Sequence, residues 1–111
     1  MDDLTQKKCV PCEGGTPPLK KENIEEFHRQ VPGWAVADNH RKISRDFKFK
    51  DFKEALAFVN KVGDIAETEG HHPDILIHSW NKVSIELWTH AIGGLSDNDF
   101  IMAAKIDALL K

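Results

Sequence analysis

Three of the six histidines in this 111-residue sequence stand where they could exchange protons with one bound molecule. His71 and His72 are adjacent and followed by Pro73, and His90 lies nineteen residues beyond His71. An imidazole with an unperturbed pKa of ~6.5 exists in both forms near neutral pH, so one histidine can donate a proton while another accepts one. The adjacent pair alone is weak evidence, because a structural role accounts for it equally well. What would make it functional is His90 converging on it. His28, His40 and His78 are assigned no role. Glu67 stands near the end of an expected helix, where a solvated carboxylate is the plain reading. Asp99 follows Ser96 by three residues, and helix capping explains it first. Trp80 and Trp88 read as packing residues before they read as ligand platforms.

The two cysteines, Cys9 and Cys12, form one CxxC. Cys2His2 is a real zinc set. Here, however, the cysteines fall in an expected tail, adjacent histidines point apart, and no second CxxC exists, so no metal site is assigned. A thioredoxin-like redox role would need a strand before the motif and a helix after it, and neither is visible.

The histidines need elements to carry them. Residues 1–18, with Gly14-Gly15 and Pro17-Pro18, show no sustained periodicity and read as a flexible N-terminal tail before a domain over 19–111. Ile24, Phe27 and Val31 recur at helical spacing, which predicts a helix from about Leu19 to Gln30, stopped by Pro32-Gly33. Trp34 to Asp38 reads as a short strand. Ile43, Arg45, Phe47 and Phe49 then alternate with polar residues, the period of a strand with one apolar face. Asp51 and Glu54 have the spacing of a capping box. Phe52, Ala55, Leu56, Val59, Val62 and Ala66 continue as the strongest helix, ending near Gly70. Strands are expected at 74–80 and 83–90, and Ser96 caps a last helix. The order α-β-β-α-β-β-α suggests an α+β fold with one antiparallel sheet and the helices on one face.

A two-residue turn at Asn81-Lys82 would set Trp80 opposite Val83, Leu76 opposite Leu87 and Pro73 opposite His90. His71 would then lie diagonal to His90 on one face, roughly 7–8 Å away, with His72 pointing the other way or lining the rim. In this register Val83, Ile85, Leu87, Trp80 and Leu76 form the core face. Ile75, Ile77, Trp88, Glu86, His71 and His90 form the other face. It is too apolar for bare solvent and is expected to be covered by another subunit, a ligand, or both.

Composition narrows the classes. The net charge of −3 lacks the basic surface that sequence-independent nucleic-acid binding needs. No apolar run approaches the ~20 residues of a membrane span. The start Met1-Asp2-Asp3 has no basic or apolar signal region, so a cytoplasmic location is the expectation.

From Glu67 to Asp99 the chain resembles the pterin-4a-carbinolamine dehydratase family. The pattern is Glu67-x3-His71-His72-Pro73, six residues to Trp80, nine to His90 and eight to Asp99. Phe47-Lys48-Phe49-Lys50-Asp51-Phe52, Asn81-Lys82-Val83 and Gly94-Leu95-Ser96-x-x-Asp99 match as well, and the resemblance covers roughly residues 22–110. It leaves the CxxC tail outside. It implies a single layer of four-stranded antiparallel sheet with three helices on one face, no metal or other cofactor, and self-assembly into homodimers or homotetramers. It also implies dehydration of 4a-hydroxytetrahydrobiopterin to quinonoid dihydropterin, as in tetrahydrobiopterin recycling. By position, His71, His72 and His90 match the family's active-site histidines, and Glu67 and Asp99 match its acidic positions. On this reading His71 and His90 move protons and His72 binds the pterin. Glu67 and Asp99 tune the imidazoles, with Trp88 in support. An aromatic amino-acid hydroxylase is a pathway partner compatible with the resemblance. Two alternatives stand beside it: a role in molybdopterin metabolism, and a protein-binding dimerisation cofactor with little catalysis.

Overall fold

In the computed structural model, which describes residues 4–9 and 17–110, the chain runs through the expected order of elements. A 3-10 turn at Leu4–Gln6 comes first. Then follow α1 (Lys21–His28), β1 (Ala35–Val36), β2 (Ile43–Lys48), α2 (Phe52–Glu69), β3 (Asp74–His78) and β4 (Lys82–Leu87). A second 3-10 turn, His90–Ile92, leads to α3 (Asp97–Ala108). The four strands form one antiparallel sheet in the order β1-β2-β4-β3. No helix among the described residues is long and apolar enough to cross a membrane.

Period two holds in β2: Ile43 and Phe47 are buried while Ser44, Asp46 and Lys48 are exposed. Arg45 shares the inward side, lies over the Phe47 ring and pairs with Asp107 of α3 at 2.7 Å. Trp34, 1% exposed, donates its indole N–H to the same carboxylate. The first strand is therefore shorter than expected, because Trp34 turns into the core instead of extending a ladder. The Phe58 ring of α2 packs on Phe47 and Phe49 with centroids 4.8 and 4.9 Å apart. Such pairs are each worth ~0.5–1.5 kcal/mol beyond the area they bury.

Asp51 caps α2, accepting from the Glu54 N–H at 2.8 Å. The return half of the expected capping box is displaced by one residue, since Glu54 accepts from the Lys50 N–H. Helix α3 is buried almost all round, without a break from Asn98 to Ala104. It lies inside the helical layer, packed by α1, α2 and the first 3-10 turn. That packing corrects the reading of the N-terminal stretch at 4–9, where Leu4 is completely buried in the core instead of belonging to a free tail. Cys12, the second half of the CxxC, lies outside the described residues.

The hairpin departs from its expected register. The turn is Ser79-Trp80-Asn81, with Ser79 and Trp80 in the left-handed region (φ 49° and 55°), and His78 pairs with Lys82. Asn81 decides this. It exchanges backbone and side-chain hydrogen bonds with Phe49, which ties the start of β4 to the end of β2. The partner sum falls from 163 to 160, an odd shift, and an odd shift turns every side chain of the slipped strand to the opposite face. Leu76 and Trp80, expected in the core, are 59% and 61% exposed, while Ile75 and Ile77 pack against the core. Val83, Ile85 and Leu87 of β4 are buried as expected.

Candidate active site

The end of α2 delivers the first two histidines. Gly70 closes the helix in the left-handed conformation (φ 68°), and the N–H groups of Gly70 and His71 both reach the Ala66 carbonyl. A side chain at position 70 would strain that conformation, which glycine adopts freely. The chain then leaves the helix with His71 pointing toward α3 and His72 pointing back along α2.

His71 donates Nε2–H to Asp99 Oδ1 at 2.6 Å. Its side chain is 12% exposed and that of Asp99 is 0% exposed. The second oxygen of Asp99 accepts from the Thr89 hydroxyl at 2.8 Å and from the Ser96 N–H at 2.9 Å. Asp99 is thus the capping residue expected at the start of α3 and also the carboxylate that holds His71. A buried carboxylate here is met by three donors and by the positive end of the helix dipole. The imidazole, in turn, is fixed in the tautomer that leaves Nδ1 open.

His72 pairs with Glu67 Oε2 at 2.6 Å, in the open, with side chains 62% and 79% exposed. His90 opens the 3-10 turn after β4 and packs on Trp88, centroids 3.8 Å apart and ring planes tilted by 34°. An isolated bridge between Thr89 and Gly94 closes the loop that carries His90. Trp88 Nε1 is buried with no partner among the described residues. Lys42 lies 5.1 Å from the Trp88 ring centroid.

His71, His72 and His90 line one cleft of about 510 Å³, together with Pro73, Trp88 and Thr89. Pockets of ~300–1,000 Å³ suit small ligands. The expected convergence of the histidines therefore holds, but by a different route. Regular pairing stops at Asp74 opposite Glu86, so the helix end places His71, not a strand diagonal. Glu67 and Asp99 do not line the cleft; they hold histidines that do. Asp74, Thr89, Ala91 and Asn98 also line the cleft, and nothing in the sequence marks them as site residues. Thr89 falls at a core-face position of the expected strand 83–90, and only the fold shows that it bonds both Asp99 and Ser96.

Comparison with known proteins agrees with the resemblance. The family model for pterin 4 alpha carbinolamine dehydratase matches residues 17–109. A Rubrobacter xylanophilus protein with the provisional name pterin-4-alpha-carbinolamine dehydratase is 51% identical over 109 residues, 98% of this chain and 100% of its own length. An Alkaliphilus metalliredigens protein with the same provisional name is 52% identical, covering 96% of each chain. These alignments leave out so few residues that most of the first eighteen fall inside the shared span. A Brucella melitensis crystal structure, described as a transcriptional coactivator/pterin dehydratase, superposes with a TM-score of 0.79 at 34% identity, covering 85% of this chain and 99% of the other. A pterin dehydratase-like RuBisCO assembly factor of the alpha-carboxysome shares the fold alone, at 23% identity and a TM-score of 0.59. The chain belongs to the pterin-4a-carbinolamine dehydratase family.

Proposed function

We propose that this protein dehydrates 4a-hydroxytetrahydrobiopterin to quinonoid dihydropterin, with His71 and His90 as the proton-transfer pair. The observation that carries this reading is the cleft lined by all three histidines, one of them held by a buried carboxylate. In the reaction the C4a–O bond breaks and the hydroxyl leaves as water after taking a proton. A pterin ring nitrogen loses its proton, and its electrons form the double bond to C4a. One acid and one base suffice.

The hydrogen bond to Asp99 holds His71 in the tautomer whose bare Nδ1 can accept the ring proton. His90 is then the donor to the departing hydroxyl, and its packing against Trp88 orients its ring. His72, exposed and paired with Glu67, binds and orients the pterin. Each proton-transfer group is expected to contribute ~10²–10⁴-fold.

The test is turnover of freshly generated 4a-hydroxytetrahydropterin by the unmodified chain and by His71→Gln and His90→Gln, with circular dichroism to check folding. Unchanged turnover in both folded variants would sink the assignment. The further setting we propose is tetrahydrobiopterin recycling in the cytoplasm, downstream of an aromatic amino-acid hydroxylase, by a homodimer or homotetramer. A protein-binding role is a second reading. It is favoured by the exposed Leu76 and Trp80 and by the coactivator description of the Brucella relative. Copurification of a partner together with absent turnover would select it.

A further inference from the structure

His71 and Asp99 meet at 2.6 Å although they belong to different helices, one just past the end of α2 and the other in the first turn of α3. Their contact is only as well defined as the junction between those helix ends. A second set of bonds crosses that junction. Glu69, the last residue of α2, accepts from Lys105 Nζ of α3 at 2.8 Å. Its other oxygen accepts from the backbone N–H of Cys9, also at 2.8 Å. The side chains of Glu69 and Lys105 are only 7% and 18% exposed. The Cys9 thiol reaches the carbonyl of Asn98, the residue before Asp99. At the other end of this N-terminal segment, Leu4 is fully buried and its N–H is held by the Gln30 side chain.

We infer that Leu4–Cys9 is a strap that locks the end of α2 to the start of α3, and that Glu69 and Lys105 are positioning residues for the His71–Asp99 pair. Neither touches the cleft. They act by fixing the backbone from which His71 departs two residues later. Charge-assisted hydrogen bonds shielded from solvent are short and directional, which is the property a positioning contact needs. The carboxyl of Glu69 is held below its ordinary value, first by the Lys105 hydrogen bond and then by that of Cys9. Burial, followed by the charge of Glu69, pushes the Cys9 thiol up to about 12, so it packs here as a neutral group. Displacements of an ångström at a reacting group can cost ~10²-fold in rate, so loosening this junction should be felt at the chemistry.

The consequence for turnover rests on the dehydratase reading, whereas the consequence for His71 does not. Two readouts therefore separate them. The first is the ring nitrogen spectrum of His71 by 15N NMR, in the unmodified chain, in Glu69→Gln, in Lys105→Met and in a chain lacking residues 2–9. The expected result is a hydrogen-bonded Nε2 signature in the unmodified chain and its loss in the two variants and the truncated chain. The second is steady-state dehydration, where kcat should fall on the order of 10-fold or more while KM stays within roughly two-fold. If the unmodified chain shows no turnover, the functional reading falls and the NMR result still decides the strap. If the variants lose thermal stability while the His71 signals and kcat stay as in the unmodified chain, Glu69 and Lys105 are merely structural and the inference is overturned. Should Glu69→Gln fail to fold, Lys105→Met and the truncated chain carry the same test.

Discussion

Asp99 divides its two oxygens between His71 and the cap of α3, and an asparagine in its place cannot serve both. The amide oxygen can face either His71, or Thr89 and Ser96, while the NH2 group must face the other set. Asp99→Asn should therefore lower kcat by ~10²-fold or more, as the loss of one general acid–base group would. Denaturant unfolding should show a further cost of about 1–3 kcal/mol, that of a buried polar group left badly paired. Turnover equal to that of the unmodified chain would remove Asp99 from the mechanism. The residue scale was also where the sequence was most readable. The spacing of Glu67, His71, His72, His90 and Asp99 was visible, and the bonds and cleft now join those positions. Thr89 is not legible as a site residue, because its place in the expected strand 83–90 makes it one more inward-facing position and nothing local shows its bond to Asp99.

Two glycines of the α2 region make opposite predictions. Gly63 is interior to the helix, and a methyl group there would meet nothing within 4 Å. Gly63→Ala should stabilise the protein by about 0.5–1 kcal/mol, chiefly by restricting the unfolded chain. Gly70 holds φ 68°, and Gly70→Ala should destabilise by about 1–2 kcal/mol, since L residues resist the left-handed region. Paired urea titrations read both signs, and a stabilising Gly70→Ala would contradict the capping geometry. The helices were legible because their apolar periods and caps are local. The hairpin was not. The left-handed residues of the turn are Ser79 and Trp80, neither of the Gly, Asn or Asp type that adopts that region readily, and the register is set by Asn81 bonding Phe49 across 32 positions of sequence. A turn signal at Asn81-Lys82 was read where a tertiary tether was acting. Element junctions also carry the pH response. Because the folded state holds the Glu69 carboxyl below its ordinary 4.5, its ionised form stabilises the fold. That contribution is present above 4.5 and is lost as pH falls below it. The stability gap between the unmodified chain and Glu69→Gln should accordingly be largest near neutrality and close on acidification. A gap that stays constant down to acid pH would show that the pairing with Lys105 does not depend on charge.

At the scale of the whole molecule, the sheet ends in an unpaired edge. β3 is its outermost strand, with the run Asp74-Ile75-Leu76-Ile77-His78 and one row of backbone N–H and C=O groups without ladder partners in the sheet. Apolar, five-residue edges of this kind are templates for pairing with another chain unless blunted by charge, proline or a bulge. Leu76, in the middle of the strand, is 59% exposed on the face away from the helices. The register correction thus moves the expected subunit contact from Ile75 and Ile77, which the core already occupies, to Leu76 and the edge itself. A second copy of the chain would fit this edge, since antiparallel pairing of β3 with itself would satisfy both edges at once. Light scattering should give a mass above the 12.6 kDa of one chain. Leu76→Lys should lower that mass toward a single chain. It should also leave the stability of the dissociated chain within about 0.5 kcal/mol, because a mostly exposed side chain contributes little to its own fold. A single-chain mass for the unmodified protein across the micromolar range would refute the edge contact. The cleft lined by His71, His72 and His90 would then have to work in a monomer.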